Sequence, residues 1–296
     1  IYETDFKPDT KSLDRFYKSV KMRSGGLKKI ESKQTLILEL YERFFKNAFK
    51  KTTEKLGIVY TPIEVVDFII DSINNILDEE FDKKIGDKDI NIIDPFTGTG
   101  TFIARLLQSN LIAKKDLEYN YKNNLHANEI VLLAYYIATI NIESIYSDLS
   151  EESEYSPFNG AVLTDTFQMY EEESDMIASL LPDNFDRRKI QKEADFTVIM
   201  GNPPYSGGQS NVNDNAANAS YLNLDERIRK TYTSNSSAVN KRALYDSYIR
   251  SFRWASDRIG EKGVIGFVTN GSWIDGNTAD GIRKSFGDEF SKIYIF

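Results

Sequence analysis

The chain has 296 residues, 41% of them hydrophobic and 28% charged, which is the composition of a globular protein with room for one large domain. It contains no cysteine and a single histidine, so disulfide frameworks, thiol nucleophiles, thiolate zinc sites and multi-histidine metal centres are excluded, and no metal site is predicted. The net charge of −8 argues against a uniformly basic nucleic-acid binder, but residues 1–60 hold 14 basic against 8 acidic residues, and local basic segments are sufficient for phosphate contacts.

No stretch of the sequence is predicted to enter a membrane. The longest uncharged apolar run covers residues 130–142, which is too short to cross a bilayer. The chain begins with Ile1 and shows no signal-peptide pattern. We therefore expect a piece of a longer, cytoplasmic polypeptide.

Two helices open the predicted fold. Apolar residues at helical spacing predict the first helix over residues 33–49. Tyr60-Thr61-Pro62 then leads into the second helix, with Thr61 as its N-cap and Pro62 at its first helical position. The apolar stripe of this second helix consists of Ile63, Val66, Ile70, Ile73 and Leu77.

Short apolar runs and helical patterns alternate through the rest of the chain. The predicted strands cover residues 90–93, 125–127, 161–163, 196–200, 264–268 and 293–296. The predicted helices cover residues 102–108, 129–145, 243–259 and 278–286. This alternation predicts a mostly parallel sheet with helices on both faces, and such sheets bind ligands at the carboxyl ends of their strands. The polar segment 206–240, with a short helical piece near 224–230, is predicted to be a functional loop or an insertion.

The first predicted strand ends in a glycine-rich turn, residues 94–101, that leads into a helix. Gly98 and Gly100 allow the backbone to approach a ligand, and the helix start favours a carboxylate or phosphate. Asp94 would repel a pyrophosphate but accept from an ammonium group, which suits a cofactor that carries an amino acid. A tight turn without a ligand explains the glycines equally well, and the sequence contains no P-loop.

Acidic residues follow the second and third predicted strands. Glu129 stands where an acidic residue commonly accepts both ribose hydroxyls, and Asp165 could accept from the amine of an adenine with Phe167 beside the ring. Each has a simpler structural interpretation, a helix-start glutamate and an N-cap aspartate respectively. His126 is expected to be structural.

The fourth predicted strand ends in Asn202-Pro203-Pro204-Tyr205. Two prolines cannot continue a ladder and fix a rigid, extended turn. Asn202 Oδ1 and the Pro203 carbonyl could accept both protons of a planar exocyclic amine, and Tyr205 could stack on the ring that carries it. A merely proline-terminated strand is the alternative, and the other strand ends argue against it.

Together these residues resemble the S-adenosylmethionine-dependent amino-methyltransferases that act on N6 of adenine in DNA. The catalytic tetrapeptide of that family matches residues 202–205, and its cofactor loop matches residues 94–100. The order, with residues 60–62 first, is similar to the gamma arrangement, in which the target recognition domain comes last. Residues 205–209 and 244–250 are similar to the modification module of type ISP restriction-modification enzymes.

This resemblance implies a fold, a cofactor and a site. The fold is a Rossmann-like α/β methyltransferase fold with a mostly parallel sheet of the seven-stranded type and an N-terminal helical segment. The cofactor is S-adenosyl-L-methionine. The catalytic residues implied are Asn202, Pro203, Pro204 and Tyr205. The cofactor-binding residues implied are Tyr60, Thr61, Pro62, Asp94, Pro95, Thr97, Gly98, Gly100, Thr101, Phe102, Glu129, Ile130, Asp165, Thr166, Phe167 and Asn202.

The resemblance also implies a domain organisation. Residues 1–50 are expected to be the end of a helical coupler and residues 51–296 the methyltransferase catalytic domain. Nuclease and helicase-like ATPase domains would precede them, a target recognition domain would follow Phe296, and the partner would be double-stranded DNA. Residues 293–296 are expected to be the strand before an aromatic residue that stacks on the flipped base opposite Tyr205, so that aromatic residue would lie outside the chain.

Three other functions remain open on the sequence alone. A protein-glutamine N5 methyltransferase uses the same tetrapeptide on a side-chain amide, although Tyr60-Thr61-Pro62 and the long insertion after Tyr205 argue against it. A cofactor-binding module that positions DNA without catalysing a reaction is the second alternative. An RNA adenine methyltransferase is the third.

Overall fold

The computed structural model describes residues 61–150, 155–171, 182–205 and 221–296. The helix predicted over residues 33–49, Tyr60, and residues 206–220 of the predicted loop lie outside these ranges, and the predicted division at residue 50 does too.

Five parallel strands form one sheet in the described residues. They are β1 (Ile92–Asp94), β2 (Leu125–Glu129), β3 (Ala161–Leu163), β4 (Phe196–Gly201) and β5 (Ile259–Phe267). Their spatial order is β3-β2-β1-β4-β5, so the direction of winding reverses at β1. A reversal of this kind opens a crevice at the carboxyl ends of the central strands, where α/β sheets bind their ligands.

Helices separate the strands along the chain. They are α1 (Ile63–Phe81), α2 (Thr101–Gln108), α3 (Leu117–Asn123), α4 (Leu132–Leu149), α5 (Pro182–Glu193), α6 (Leu222–Ile228), α7 (Ser247–Arg258), α8 (Ser272–Asp275) and α9 (Asp280–Glu289). A π-helical turn, Arg229–Thr233, extends α6. Within the described part of the chain, no helix is long and apolar enough to cross a membrane.

The sheet is covered on both faces, as the predicted alternation requires. Ile92 and Val198 pack into a cluster with residues of α1 and α2, whereas their neighbours Ile93 and Ile199 pack on the other face with Trp254 of α7. Successive side chains of a strand point to opposite faces, so both members of each pair are apolar. The α/β fold with a parallel sheet is therefore confirmed, with five strands in the described residues.

Helix α1 is held closely against the sheet. Its buried residues are Val66, Ile70, Ile73 and Leu77. Gly266 of β5 permits this approach, because a Cβ atom there would lie 2.7 Å from Cδ1 of Ile73. Arg105 of α2 forms a bidentate pair with Asp67 of α1, with two N–H···O distances of 2.7 Å. Such paired hydrogen bonds fix geometry as well as adding attraction.

The structure corrects three local predictions. Residues 293–296 form no strand, and their side chains are about half or more exposed, because no described strand pairs with them. Pro62, not Thr61, is the N-cap of α1, since its carbonyl accepts from the N–H groups of Val65 and Val66. Strand β5 begins at Ile259 instead of 264, because an edge strand does not need an apolar sequence on its exposed side.

His126 agrees with its predicted structural role. The ring is buried in β2 and packs edge-on against Phe196, with ring centroids 5.4 Å apart. Burial lowers its pKa to about 4, so the imidazole is neutral at physiological pH.

Candidate active site

Asp94 ends β1 at the centre of the crevice and is fully buried. Its Oδ1 accepts from the Phe96 N–H at 3.0 Å, while Oδ2 is buried without a hydrogen-bond partner among the described residues. Burial raises the pKa of the Asp94 carboxyl to about 8, and the nearby charge of Glu129 raises it further. The neighbouring β4 residue is Gly201, where a Cβ atom would lie 2.7 Å from Asp94 Oδ1. This carboxyl group is thus held where only glycine leaves room for it.

The turn after β1 is the glycine-rich loop that the sequence indicated. Gly98 and Gly100 have φ of 56° and 84°, a backbone conformation that favours glycine. A Cβ atom at Gly98 would meet no other atom within 4 Å, whereas one at Gly100 would lie 3.2 Å from the backbone of Ala138 in α4. The Thr97 N–H donates to the carbonyl of Asn128 at 2.9 Å, which joins this loop to the end of β2.

Glu129 ends β2 and is hydrogen-bonded to the glycine-rich loop. Its Oε2 accepts from the Gly98 N–H at 2.8 Å and its Oε1 from the Val131 N–H at 2.7 Å. Burial raises the pKa of Glu129 to about 7, although these N–H groups oppose the shift. The Ile130 N–H acts on the same carboxylate, which has about four acceptor sites and so retains capacity for a ligand. Ile130, the next residue, is 51% exposed and presents an apolar surface beside it.

Asp165 follows β3 and is fixed by two donors. The Phe167 N–H donates to its Oδ1 at 2.9 Å, and the Tyr221 hydroxyl donates to its Oδ2 at 2.8 Å. Burial raises the pKa of Asp165, and both hydrogen bonds lower it in part. The Thr166 hydroxyl donates to the carbonyl of Pro95, so this segment is tied to the β1 turn. The three acids therefore lie at the carboxyl ends of three neighbouring strands, in turns that are hydrogen-bonded to one another.

The tetrapeptide after β4 lies beside this crevice. Asn202 Nδ2 donates to Thr61 Oγ1 at 2.8 Å. The Tyr205 hydroxyl lies 2.7 Å from Asn202 Oδ1 and 2.6 Å from the Val268 carbonyl, so it is shared between two acceptors. Pro203 is buried, and burial raises the pKa of Tyr205 to about 12. The turn thus directs one amide and one aromatic ring to the end of the sheet.

Most of the predicted site residues lie at this edge of the sheet, in two groups. Asp94, Pro95, Thr97, Gly98, Gly100, Glu129, Ile130, Asp165, Thr166 and Phe167 belong to the turns after β1, β2 and β3. Thr61, Asn202, Pro203, Pro204 and Tyr205 form the second group, which Pro62 adjoins. Thr101 and Phe102 start α2 and are buried, and the Phe102 side chain packs in the hydrophobic core.

Sequence reasoning missed two contributors to the site. Tyr221, which bonds Asp165, follows a polar segment without periodicity, so nothing in the pattern singles it out. The Val268 carbonyl, which accepts from Tyr205, is a backbone group, and only the pairing of β4 with β5 brings it there.

This chain is similar to known proteins in both sequence and structure. The sequence matches the N-6 DNA methylase family over residues 32–291. The structure is similar to the ATP-dependent type ISP restriction-modification enzyme LlaBIII bound to DNA, with a TM-score of 0.87 and 49% identity over 97% of this chain and 19% of that chain. No curated protein sequence matches this chain.

Two further structures have the same TM-score of 0.87. A nuclease-deletion mutant of the type ISP enzyme LlaGI with a DNA substrate mimic is 47% identical over 97% of this chain and 23% of that chain. The DrdV–DNA complex is 39% identical over 95% of this chain and 27% of that chain. This chain thus spans 19% to 27% of the length of these three proteins. The chain belongs to the N-6 DNA methylase family, whose members are adenine-specific DNA methyltransferases that use S-adenosyl-L-methionine.

Proposed function

We propose that this chain is the modification module of a cytoplasmic restriction-modification enzyme, and that it transfers a methyl group from S-adenosyl-L-methionine to N6 of an adenine flipped out of double-stranded DNA. The observation that carries the proposal is the Asn202-Pro203-Pro204-Tyr205 turn at the same sheet edge as three buried or half-buried acids. The similarity to DNA-bound type ISP enzymes supports DNA as the substrate.

The acids at the sheet edge fit the chemistry of this cofactor. Asp94 Oδ2 is a buried acceptor without a partner among the described residues, which suits an ammonium group. Glu129 retains lone pairs for ribose hydroxyls, and Ile130 offers an apolar face to a base. Asp165, held by Tyr221, is the acceptor for an exocyclic amine. When bound, the cofactor supplies an electrophilic methyl group on a positively charged sulfur.

Asn202 and Pro203 prepare the amine for attack. The lone pair of an adenine amine is delocalised into the ring, so the amine is a poor nucleophile. Asn202 Oδ1 and the Pro203 carbonyl would accept its two protons and draw the nitrogen toward tetrahedral geometry. Although the Tyr205 hydroxyl lies 2.7 Å from Oδ1, an amide oxygen has two lone pairs and can accept from more than one donor. Alignment and charge placement carry such a step without a strong base.

Tyr205 is the stacking surface for the target base. An adenine inside a duplex cannot reach the crevice, and flipping it out costs a few kcal/mol. Stacking on one aromatic ring recovers about 1–3 kcal/mol of this. Tyr205 is half-buried and anchored through its hydroxyl, so its ring is already positioned for that contact.

The parent polypeptide is proposed to carry further domains. Residues 1–50 would be the end of a helical coupler and residues 51–296 the catalytic domain. Nuclease, helicase-like ATPase and target recognition domains would complete the enzyme, as the resemblance to type ISP enzymes implies. Similarity to LlaBIII, LlaGI and DrdV, of which this chain spans about a quarter or less, supports this organisation.

Membership of the N-6 DNA methylase family favours this function over the alternatives. A protein-glutamine methyltransferase would transfer the methyl group to a protein and not to DNA. A DNA-positioning module would bind the cofactor without transferring the methyl group at all. Incubating the full-length protein with tritiated cofactor and either duplex DNA, single-stranded RNA or a glutamine peptide separates these functions.

The experiment that tests the proposal is the substitution Asn202→Ala in the full-length enzyme. We expect methylation of DNA to slow about 10²–10³-fold, the scale seen when one transition-state contact is removed, with cofactor affinity nearly unchanged. Asn123→Ala is a matched control, because the Asn123 amide donates to the Tyr119 carbonyl at the exposed surface of α3, within its own helix. Normal turnover by the Asn202→Ala enzyme would contradict the proposed mechanism.

A further inference from the structure

Thr61 and Asn202 are 141 residues apart in sequence, and their side chains meet at the sheet edge. Asn202 Nδ2 donates to Thr61 Oγ1 at 2.8 Å, and Thr61 is only 8% exposed. The Thr61 hydroxyl does not cap α1, because Pro62 is the N-cap and no side chain caps that helix. The Thr61 hydroxyl therefore accepts a hydrogen bond from Asn202 and does not cap its own helix.

The packing of α1 also determines where the Thr61 hydroxyl lies. Thr61 directly precedes the N-cap of a 19-residue helix, and the helix is packed so closely on β5 that Gly266 has no room for a Cβ atom. The bidentate Arg105–Asp67 pair also joins α1 to α2. Thr61 is thus an acceptor that directly precedes a closely packed helix, which suits an orienting contact.

The contact bears on the direction of the Asn202 amide. A carboxamide has an acceptor on one side and a donor on the other, and only the acceptor Oδ1 can draw on a substrate amine proton. With Nδ2 on Thr61, Oδ1 faces the other way, toward Tyr205. Without a hydroxyl at residue 61, the amide would lose one of the contacts that favour the orientation with Oδ1 toward Tyr205.

We propose that Thr61 is a positioning residue for the methyl-transfer step: it holds the Asn202 amide with Oδ1 toward the target amine. This inference rests on the proposed role of Asn202 and adds a second residue, on a different element, to the same reaction. It differs from a role in cofactor binding, because Thr61 acts through Asn202 and its loss slows the reaction even when the cofactor is saturating.

The first test compares Thr61→Val with Thr61→Ser in the full-length enzyme. Valine has the shape of threonine without the hydroxyl, whereas serine keeps the hydroxyl. We expect the single-turnover rate of methyl transfer to DNA, at saturating cofactor and DNA, to fall about tenfold for Thr61→Val and to stay within about twofold for Thr61→Ser, since the part-buried Asn202 Nδ2 loses its Thr61 acceptor only in the first. Thr139→Val is the matched control, because the Thr139 hydroxyl bonds the Tyr135 carbonyl within α4.

The second test is a double-mutant cycle between positions 61 and 202. If Thr61 acts through Asn202, Thr61→Val will have no further effect on the rate of the Asn202→Ala enzyme. A full tenfold effect in that background would overturn the inference, and so would a Thr61→Val enzyme that loses cofactor affinity but keeps a normal single-turnover rate at saturation. An Asn202→Ala enzyme with a normal rate would instead contradict the proposed function itself, so the two failures are distinguishable.

Discussion

Asp94 is a buried carboxyl group whose second oxygen has no hydrogen-bond partner among the described residues. An unpaired buried carboxylate is costly, so the group avoids ionisation and its pKa rises to about 8. A protein that needed only stability would pair this oxygen or replace the residue. The free oxygen is explained if a cationic group of the ligand completes the site, and this makes the electrostatics of Asp94 testable without any ligand.

The stability of the 296-residue chain is expected to fall between pH 6.5 and pH 8 when no ligand is present. The folded-state pKa of Asp94 lies above its unfolded value, so the folded state binds the extra proton and loses that advantage as pH rises. The loss should be roughly 1–2 kcal/mol over this range. The window excludes His126, whose lowered pKa makes stability rise with pH only below about 6.5.

Thermal unfolding at several pH values measures this slope, and Asp94→Asn should flatten most of it. Glu129, with a pKa raised to about 7, contributes the remainder in the lower part of the window. Saturating S-adenosyl-L-methionine should also flatten the slope, because a cation beside Asp94 favours the ionised form. A slope that is the same in the Asp94→Asn protein would show that Asp94 titrates normally.

Glu129→Ala is expected to weaken binding of S-adenosyl-L-methionine at least tenfold. The carboxylate would lose up to two hydrogen bonds to the ribose, each worth roughly 1.5–3 kcal/mol when the acceptor is charged. It would also release the Gly98 N–H, which it holds at 2.8 Å. Calorimetric titration measures the affinity, with Glu118→Ala on the exposed surface of α3 as the control. Unchanged affinity would remove Glu129 from the cofactor site.

The elements follow from sequence where burial dictates their pattern. Strands β1 to β4 lie within two residues of their predictions, because a strand buried on both faces has to be apolar throughout. Helix α5 (Pro182–Glu193) escaped prediction because it is strongly polar and has no apolar stripe. The start of β5 was missed because residues 260–263 interrupt the apolar pattern: they form an irregularity between the Phe196–Ile259 and Val198–Val264 pairs of β4 and β5.

The candidate site could be predicted from the sequence only where its residues lie at strand ends. Asp94, Glu129, Asp165 and Asn202 each end a strand or follow its end within two residues, so strand prediction alone brings them to one edge. Tyr221 and Thr61 reach the site from α6 and α1, and only the packing of those helices decides what their hydroxyls contact. Side chains that position other side chains are therefore the part of a site that a sequence pattern shows least.

The packing of α1 against the sheet can be tested by substituting Gly266. Gly266→Ala would place a Cβ atom 2.7 Å from Ile73 Cδ1 and 3.1 Å from Ile69 Cγ2, so we expect a loss of about 1–3 kcal/mol of stability. Ile73→Val removes Cδ1 and alone costs about 0.5–1.5 kcal/mol. In the double variant the two costs should be less than additive, as measured by denaturant unfolding. Strict additivity would show that α1 is not packed against β5 at this point.

Charge is unevenly distributed over the whole molecule. Residues 143–195 carry 14 acidic and 4 basic residues, while residues 201–253 carry 7 basic and 4 acidic residues. The basic segment includes the tetrapeptide that would meet the target base. The acidic segment weakens the general attraction of the chain to DNA, and the attraction that remains is expected at the basic segment.

The last prediction concerns the 296-residue chain on its own: it should bind S-adenosyl-L-methionine but methylate duplex DNA negligibly. All three acids of the proposed cofactor site belong to it, whereas it spans only 19% to 27% of the type ISP enzyme LlaBIII, of LlaGI and of DrdV. Sequence-specific reading needs contacts to base edges in the grooves, which phosphate contacts do not supply. With a net charge of −8, its DNA affinity should be no tighter than the 10⁻⁴–10⁻⁶ M that is typical of non-specific binding at physiological salt. Calorimetry with the cofactor and a tritiated-methyl transfer assay on adenine-rich duplex DNA measure the two properties, with the full-length enzyme as the positive control. Robust, site-specific methylation by residues 1–296 would place the recognition apparatus inside this chain and contradict the proposed domain organisation.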